Sequence, residues 1–175
     1  MKKIFVFGSK KAIALKKFLE DFFKGRGISV EEVNYSLPCD VLVIYDVFDE
    51  KHVNLLKNYI NTLPPNVIIA NGDVKDVNLL FDMGFSFTLI TAGLNPKCTA
   101  TASSISYEEG GYRFNYCVQR AFNNLKGQLI EPMEIPVEIK TSEQYNIYNS
   151  LFAVTLLTLL EGREKFFESP VIIGV

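Results

Sequence analysis

The chain has 175 residues, 48% of them hydrophobic and 22% charged, with a formal net charge of -2. Those figures fit one globular domain, or one with a small appendage, long enough to bury a core, and they exclude the basic excess that nucleic acid or an anionic membrane would need. The apolar run after Met1-Lys2-Lys3 is halted by Gly8-Ser9-Lys10-Lys11, too short for a signal peptide, and no segment approaches a membrane span, so a cytoplasmic location is expected.

In chain order, Ile4 to Phe7 is a short apolar strand, and Ala12, Leu15, Leu19, Phe22 and Phe23 recur at helical spacing until Gly25 and Gly27 stop the helix. Ile28 to Val33 predicts a second strand and Val41 to Tyr45 a fully apolar third. A helix follows from about Glu50 to Leu63, ended by Pro64-Pro65. Val67 to Ala70 is a further buried strand, Val74 to Met83 a short helix closed by Gly84, and Phe85 to Thr91 another strand. Continuous apolar strands alternating with helices predict a parallel sheet covered on both faces.

After Lys97 the texture changes. Thr99 to Tyr107, the turn Glu109-Gly110-Gly111, and Tyr112 to Val118 read as a hairpin, and Gln128 to Ile139 adds a further antiparallel arm. Glu143 to Leu160 then reads as an apolar helix. The tail, residues 162–175, is either a last strand through Val171 to Ile173 or a partner contact, with Phe166-Phe167 as a candidate exposed patch. No repeat or low-complexity linker divides the chain, which predicts a parallel α/β part over about residues 1–97, antiparallel strands over 98–140, a helix over 141–161 and the tail. Cys39, Cys98 and Cys117 are odd in number and widely spaced without a C-x-x-C pair, so reduced, structural thiols are expected.

Two asparagines open the last helix three residues apart, Asn146 and Asn149. Residues at that spacing share a helix face, so both amides can address one polar ligand edge. The alternative is helix-start chemistry, with Ser142 as N-cap and the amides bonded to local groups.

The segment Glu143-Gln144-Tyr145-Asn146-Ile147-Tyr148-Asn149-Ser150-Leu151-Phe152-Ala153 resembles the G-x-H-N-x-x-N-A-x-A-A signature of the central, ATP-binding domain of the Mur ligases, which form the amide bonds of peptidoglycan precursors. Asn146, Asn149 and Ala153 are retained, while Tyr145 stands at the pattern's His. Ile90 to Ala102 is similar to that family's strand, glycine turn and following strand; Val67-Ile68-Ile69-Ala70-Asn71-Gly72-Asp73 is similar to its strand ending in Asn-x-Asp. Ile4-Phe5-Val6-Phe7-Gly8-Ser9 stands where its phosphate-binding loop begins. The four matches occur in family order over roughly residues 3 to 161. They imply an α/β fold of the P-loop NTPase-like kind, a mostly parallel sheet with helices on both faces plus a small antiparallel subsheet.

The same resemblance implies a nucleotide site, with Gly8, Ser9, Lys10 and Lys11 at the phosphates and Asn146 and Asn149 at adenine. A P-loop needs glycines that turn successive N–H groups toward the phosphates, a lysine that reaches them and a hydroxyl for magnesium. Where the family has G-T-x-G-K-T/S, this chain has Gly8-Ser9-Lys10-Lys11-Ala12-Ile13. The first glycine and a hydroxyl remain; Lys11, Ala12 and Ile13 replace the second glycine, the lysine and the threonine. Solvated surface lysines are the simpler reading of Lys10 and Lys11, although either could draw an anion to the helix N-terminus.

In the loop after the third strand, Asp46, Asp49, Glu50 and His52 lie where the family places magnesium-supporting groups, in an order that does not match, and Lys57 sits near the position of a modified metal-bridging lysine. Asp49 as N-cap and Glu50 in the first helical turn account for two of the carboxylates without metal. With one histidine and no G-x-S-x-G elbow, hydrolase chemistry has no triad to run on.

Three readings follow. The first is a degenerate, stand-alone Mur ligase central domain that serves as a non-catalytic, nucleotide-related binding or regulatory module, with ATP and Mg2+ bound weakly or not at all and a protein partner or a second copy of the chain as its companion. The second is an ATP-dependent ligase subunit completed by domains in trans. The third is a flavodoxin-like or Rossmann-like domain that binds another small ligand at the strand ends. If nucleotide binds, Asn146→Ala is expected to weaken it and Ser9→Ala to leave it unchanged.

Overall fold

A computed structural model describes residues 1–47, 49–75, 87–108, 110–141, 143, 146–162 and 170–174. Residues 76–83 of the helix predicted over Val74 to Met83 and the patch at Phe166-Phe167 lie outside these residues, as does the Ser142 cap. The described residues form two compact units, Met1–Ile90 and Thr91–Val175.

The first unit is a parallel sheet in the order β4-β3-β1-β2. Its strands are β1 (Lys2–Phe7), β2 (Ile28–Glu32), β3 (Val41–Ile44) and β4 (Val67–Asn71), and its helices are α1 (Lys10–Phe22) and α2 (Glu50–Thr62). β1 pairs with β2 on one side and β3 on the other, with Ile4 opposite Val30 and Val41. Because the chain steps outward from β1 in one direction through α1 and in the other from β3 through α2, right-handed crossovers put the two helices on opposite faces.

Side-chain alternation agrees with that placement. Phe5, Phe7, Leu42, Ile44, Ile68 and Ala70 form one buried layer with Val53, Leu56, Tyr59 and Ile60 of α2. The alternate residues Ile4, Val6, Val41 and Val43 are equally buried and face the side of α1, whose Ala12, Leu15 and Leu19 point inward. β3 and β4 are buried at every residue, as continuous apolar runs require in a sheet covered on both sides.

Asp40 ties the start of β3 to the start of β1. Its carboxylate accepts from the Lys3 backbone N–H at 2.8 Å and from the Lys2 ammonium at 3.0 Å. Partial burial pushes this carboxyl up, but those donors outweigh burial and hold it below its ordinary value of 3.8. A depressed carboxyl stabilises the fold above its unfolded value and loses that contribution as pH falls through the folded one. The melting-temperature difference between wild type and Asp40→Asn is therefore expected to be full at pH 6 to 7 and to close below about pH 4. A difference independent of pH would rule this account out.

The second unit carries an antiparallel core of β6 (Ala100–Glu108), β7 (Gly111–Val118) and β10 (Met133–Lys140), with β11 (Val171–Gly174) added parallel to β10. β5 (Thr88–Ala92) crosses the border between units and meets β6 in parallel at Ala92 and Ala100. β8 (Phe122–Asn123) and β9 (Leu129–Ile130) make a separate two-stranded ribbon. The tail thus contributes the strand at Val171 to Ile173, the first of its two expected forms.

α3 (Asn146–Glu161) is buried along nearly its whole length, with no apolar stripe distinct from a polar one. That is the pattern of a core helix. Its threonines satisfy themselves inside it: Thr155 Oγ1 donates to the Leu151 carbonyl at 2.7 Å and Thr158 Oγ1 to the Val154 carbonyl at 2.8 Å. All three cysteines are buried and outside any disulfide, and among the described residues no helix is long and apolar enough to cross a membrane.

Candidate functional site

In the first unit the crevice lies where strand order reverses, at the carboxyl ends of β1 and β3. Open α/β sheets bind ligands at such a point because the two connecting loops diverge from it. Here it is formed by Gly8-Ser9 after β1 and by Tyr45-Asp46 after β3.

The seat for an anion is taken by the protein's own carboxylate. Ser9 caps α1, its side chain accepting from the Lys11 N–H. The Ser9 backbone N–H donates to Asp46 Oδ1 at 2.5 Å, and Ser9 Oγ donates to Asp46 Oδ2 at 2.6 Å. Asp46 thus puts a negative charge where the helix N-terminus favours one.

Gly8 makes the approach feasible. Its φ is +153°, and a Cβ there would lie 2.6 Å from Asp46 Oδ1 and 2.7 Å from the Ala12 Cβ. Only a residue without a side chain lets the β3 loop close on the β1 turn. Lys10 and Lys11 are both exposed.

These residues do not fit a triphosphate cradle. A phosphate at the Ser9 N–H would have to displace a carboxylate of like charge, and the free space that a glycine would leave for phosphate oxygens is filled by Asp46. Among the described residues no group of three or more His, Cys, Asp or Glu side chains is arranged to hold a metal ion. Asp49 caps α2 instead, accepting from the His52 N–H at 2.8 Å, with the His52 ring Nδ1 at 2.6 Å from the same oxygen. The His52 N–H and then the His52 ring hold the Asp49 carboxyl below its ordinary range.

Beside this closed crevice, on the β2 side of the β1 end, lies a pocket of about 220 Å³ lined by Val6, Phe7, Gly8, Ala12, Ile13, Glu32, Val33, Tyr35 and His52. Glu32 ends β2, in register with Val6. Tyr35 is held edge-on against Tyr59, ring centroids 6.0 Å apart, and His52 lies 6.5 Å from the Phe7 ring. Sequence reasoning did not single out Glu32 or Tyr35; the available signal was an acid at the end of the strand that follows a glycine turn.

In the second unit Asn146 and Asn149 are both buried, at 2% and 4% exposure. Their amides form a chain: Asn149 Nδ2 donates to Asn146 Oδ1 at 3.3 Å, and Asn146 Nδ2 donates to Thr141 Oγ1 at 3.2 Å. The shared face expected from the sequence is present, and its first partners are each other and Thr141.

No protein-family model matches the sequence, and no curated protein matches it. Solved structures do. A UDP-N-acetylmuramoyl-L-alanyl-D-glutamate-2,6-diaminopimelate ligase aligns with a TM-score of 0.67 at 11% identity, over 89% of this chain and 42% of its own. MurF from Acinetobacter baumannii aligns with a TM-score of 0.64 at 12% identity, over 96% of this chain and 46% of its own. At such identity the likeness is one of fold, and it extends over less than half of each neighbour. The mostly parallel sheet with helices on both faces and its antiparallel addition is therefore the fold of the Mur ligase central domain.

Proposed function

We propose that this chain is a non-catalytic, nucleotide-related binding or regulatory module on the Mur ligase central-domain fold. The observation that carries the reading is Asp46 seated on the Ser9 N–H and hydroxyl. A module that turned over ATP would need that seat for phosphate oxygens, together with a lysine directed into it. In this reading any nucleotide recognition by Gly8, Ser9, Lys10 and Lys11 is weak, and Asn146 and Asn149 form a separate polar face within the second unit.

The test is calorimetric titration of the full chain with ATP, ADP and adenosine, with and without Mg2+, followed by a phosphate-release assay. No release and no magnesium-dependent tightening are expected. Magnesium-dependent binding with turnover would replace this reading with that of a ligase subunit completed in trans. Asp46→Ala supplies an internal check. Removing the resident carboxylate beside Lys10 and Lys11 is expected to tighten binding of inorganic phosphate by about tenfold; unchanged affinity would mean that Asp46 does not guard the seat.

A further inference from the structure

We infer that the pocket at the carboxyl ends of β1 and β2 binds an unphosphorylated nucleoside, with Glu32 receiving the ribose hydroxyls. The inference extends the reading above, since it names a ligand for a module whose phosphate seat is closed.

Four observations converge on this chemistry. First, the walls contributed by Val6, Phe7, Ala12, Ile13 and Val33 are apolar, and Tyr35 and His52 add two ring faces. Each ring already packs on another aromatic, Tyr35 on Tyr59 and His52 on Phe7, so little side-chain freedom is lost when a flat heterocycle stacks there. Second, the charged carboxylate among the lining residues is Glu32, which only accepts hydrogen bonds, so the ligand must bring donors.

Third, Glu32 ends the strand next to β1, in register with Val6 and one strand over from the Gly8 turn. In β-α-β nucleotide sites a carboxylate at that place receives the sugar hydroxyls, because the strand end and the glycine turn set a fixed span between sugar and helix N-terminus. Fourth, phosphate is disfavoured. Among the described residues no lysine or arginine lines the pocket, and the adjoining helix N-terminus is already neutralised by Asp46. At about 220 Å³ the space falls below that of drug-sized ligand pockets, which suits a base and its sugar without a phosphate chain.

The experiment is calorimetric titration of the full chain with adenosine, guanosine, cytidine and uridine, with 2′,3′-dideoxyadenosine as the arm lacking the diol. NMR monitors the Tyr35 and His52 ring signals. At least one nucleoside is expected to bind saturably and shift both rings. ATP should bind at least about tenfold more weakly than adenosine, and loss of the diol or Glu32→Gln should weaken adenosine about tenfold. Tyr35→Ala should weaken it further by removing a stacking face. The Glu32 and Tyr35 side chains are exposed, so both variants should retain the wild-type melting transition, and the dideoxy arm requires no variant.

The inference is overturned if no nucleoside binds at millimolar concentration, if the dideoxy compound binds as well as adenosine, or if Glu32→Gln and Tyr35→Ala leave binding intact. Failure here is distinct from failure of the non-catalytic reading, which only phosphate release from ATP would bring down.

Discussion

Gly8→Ala is expected to destabilise the protein by about 2–4 kcal/mol and to lower its melting temperature by roughly 5–15 °C. Two independent penalties add. The backbone at φ +153° is one that residues with a side chain rarely adopt, and the new methyl would lie 2.7 Å from the Ala12 Cβ and 2.6 Å from Asp46 Oδ1. Asp46 could swing aside only by giving up its bonds to Ser9, while Ala12 is fixed in the first turn of α1. The double variant Gly8→Ala with Asp46→Ala separates these penalties. If the carboxylate contact dominates, the second substitution recovers most of the loss; if backbone strain and Ala12 dominate, it recovers little. A single variant with wild-type stability would refute the proposed close packing of the β1 turn.

Phe5→Ala is expected to cost about 3–5 kcal/mol, read as a lower urea midpoint at unchanged slope. Phe5 is fully buried at the centre of the first unit, with its ring 6.4 Å from Tyr59 and the Leu42 and Ile68 layer beside it. Truncation removes apolar burial and leaves a cavity that flanking strands, pinned by their hydrogen bonds, cannot collapse into. Phe5→Leu should cost well under half as much, because most of the volume is kept. Equal losses for the two variants would indicate that ring geometry against Tyr59 matters more than volume.

Together these variants connect stability to the site. The Gly8 turn and the Phe5 layer lie on the same strand, β1, which carries the core at its centre and the crevice at its end. Damage to the core should therefore spread to the pocket, whereas Glu32→Gln and Tyr35→Ala should leave the core unchanged. That contrast lets binding losses be told apart from folding losses.

Most of the fold was legible in the residues, for a local reason. Val41 to Ile44 and Val67 to Ala70 are apolar without interruption, which fits a strand covered on both faces, and each is one. Pro64-Pro65 ends α2 as expected, one residue after the C-cap Leu63. The antiparallel change after Lys97 was readable from Gly110-Gly111, and β6 and β7 pair antiparallel with Glu108 opposite Gly111. Asp49 as a helix cap was equally readable, since a cap is a contact over three residues.

The candidate site was legible only as a departure from a motif. Gly8-Ser9-Lys10-Lys11 lacks the spacing of a phosphate loop, but the sequence leaves its Ser9 N–H without an assigned partner. That partner, Asp46, lies 37 positions away. Strand register alone, with Phe7 opposite Ile44, brings the two loops together.

The same limit governs Glu32 and Tyr35. As sequence they are an acid at a strand end and a tyrosine in a loop; β2 pairing with β1 turns them into one wall of a pocket. Periodicity and turn chemistry act over a few residues, and so the sequence by itself determined most of the elements, their order and the departure of Gly8-Ser9-Lys10-Lys11-Ala12-Ile13 from phosphate-loop spacing. Contacts between distant loops depend on register and packing. Only the tertiary structure decided that a carboxylate sits on the Ser9 N–H and hydroxyl and that a separate pocket stands next to it.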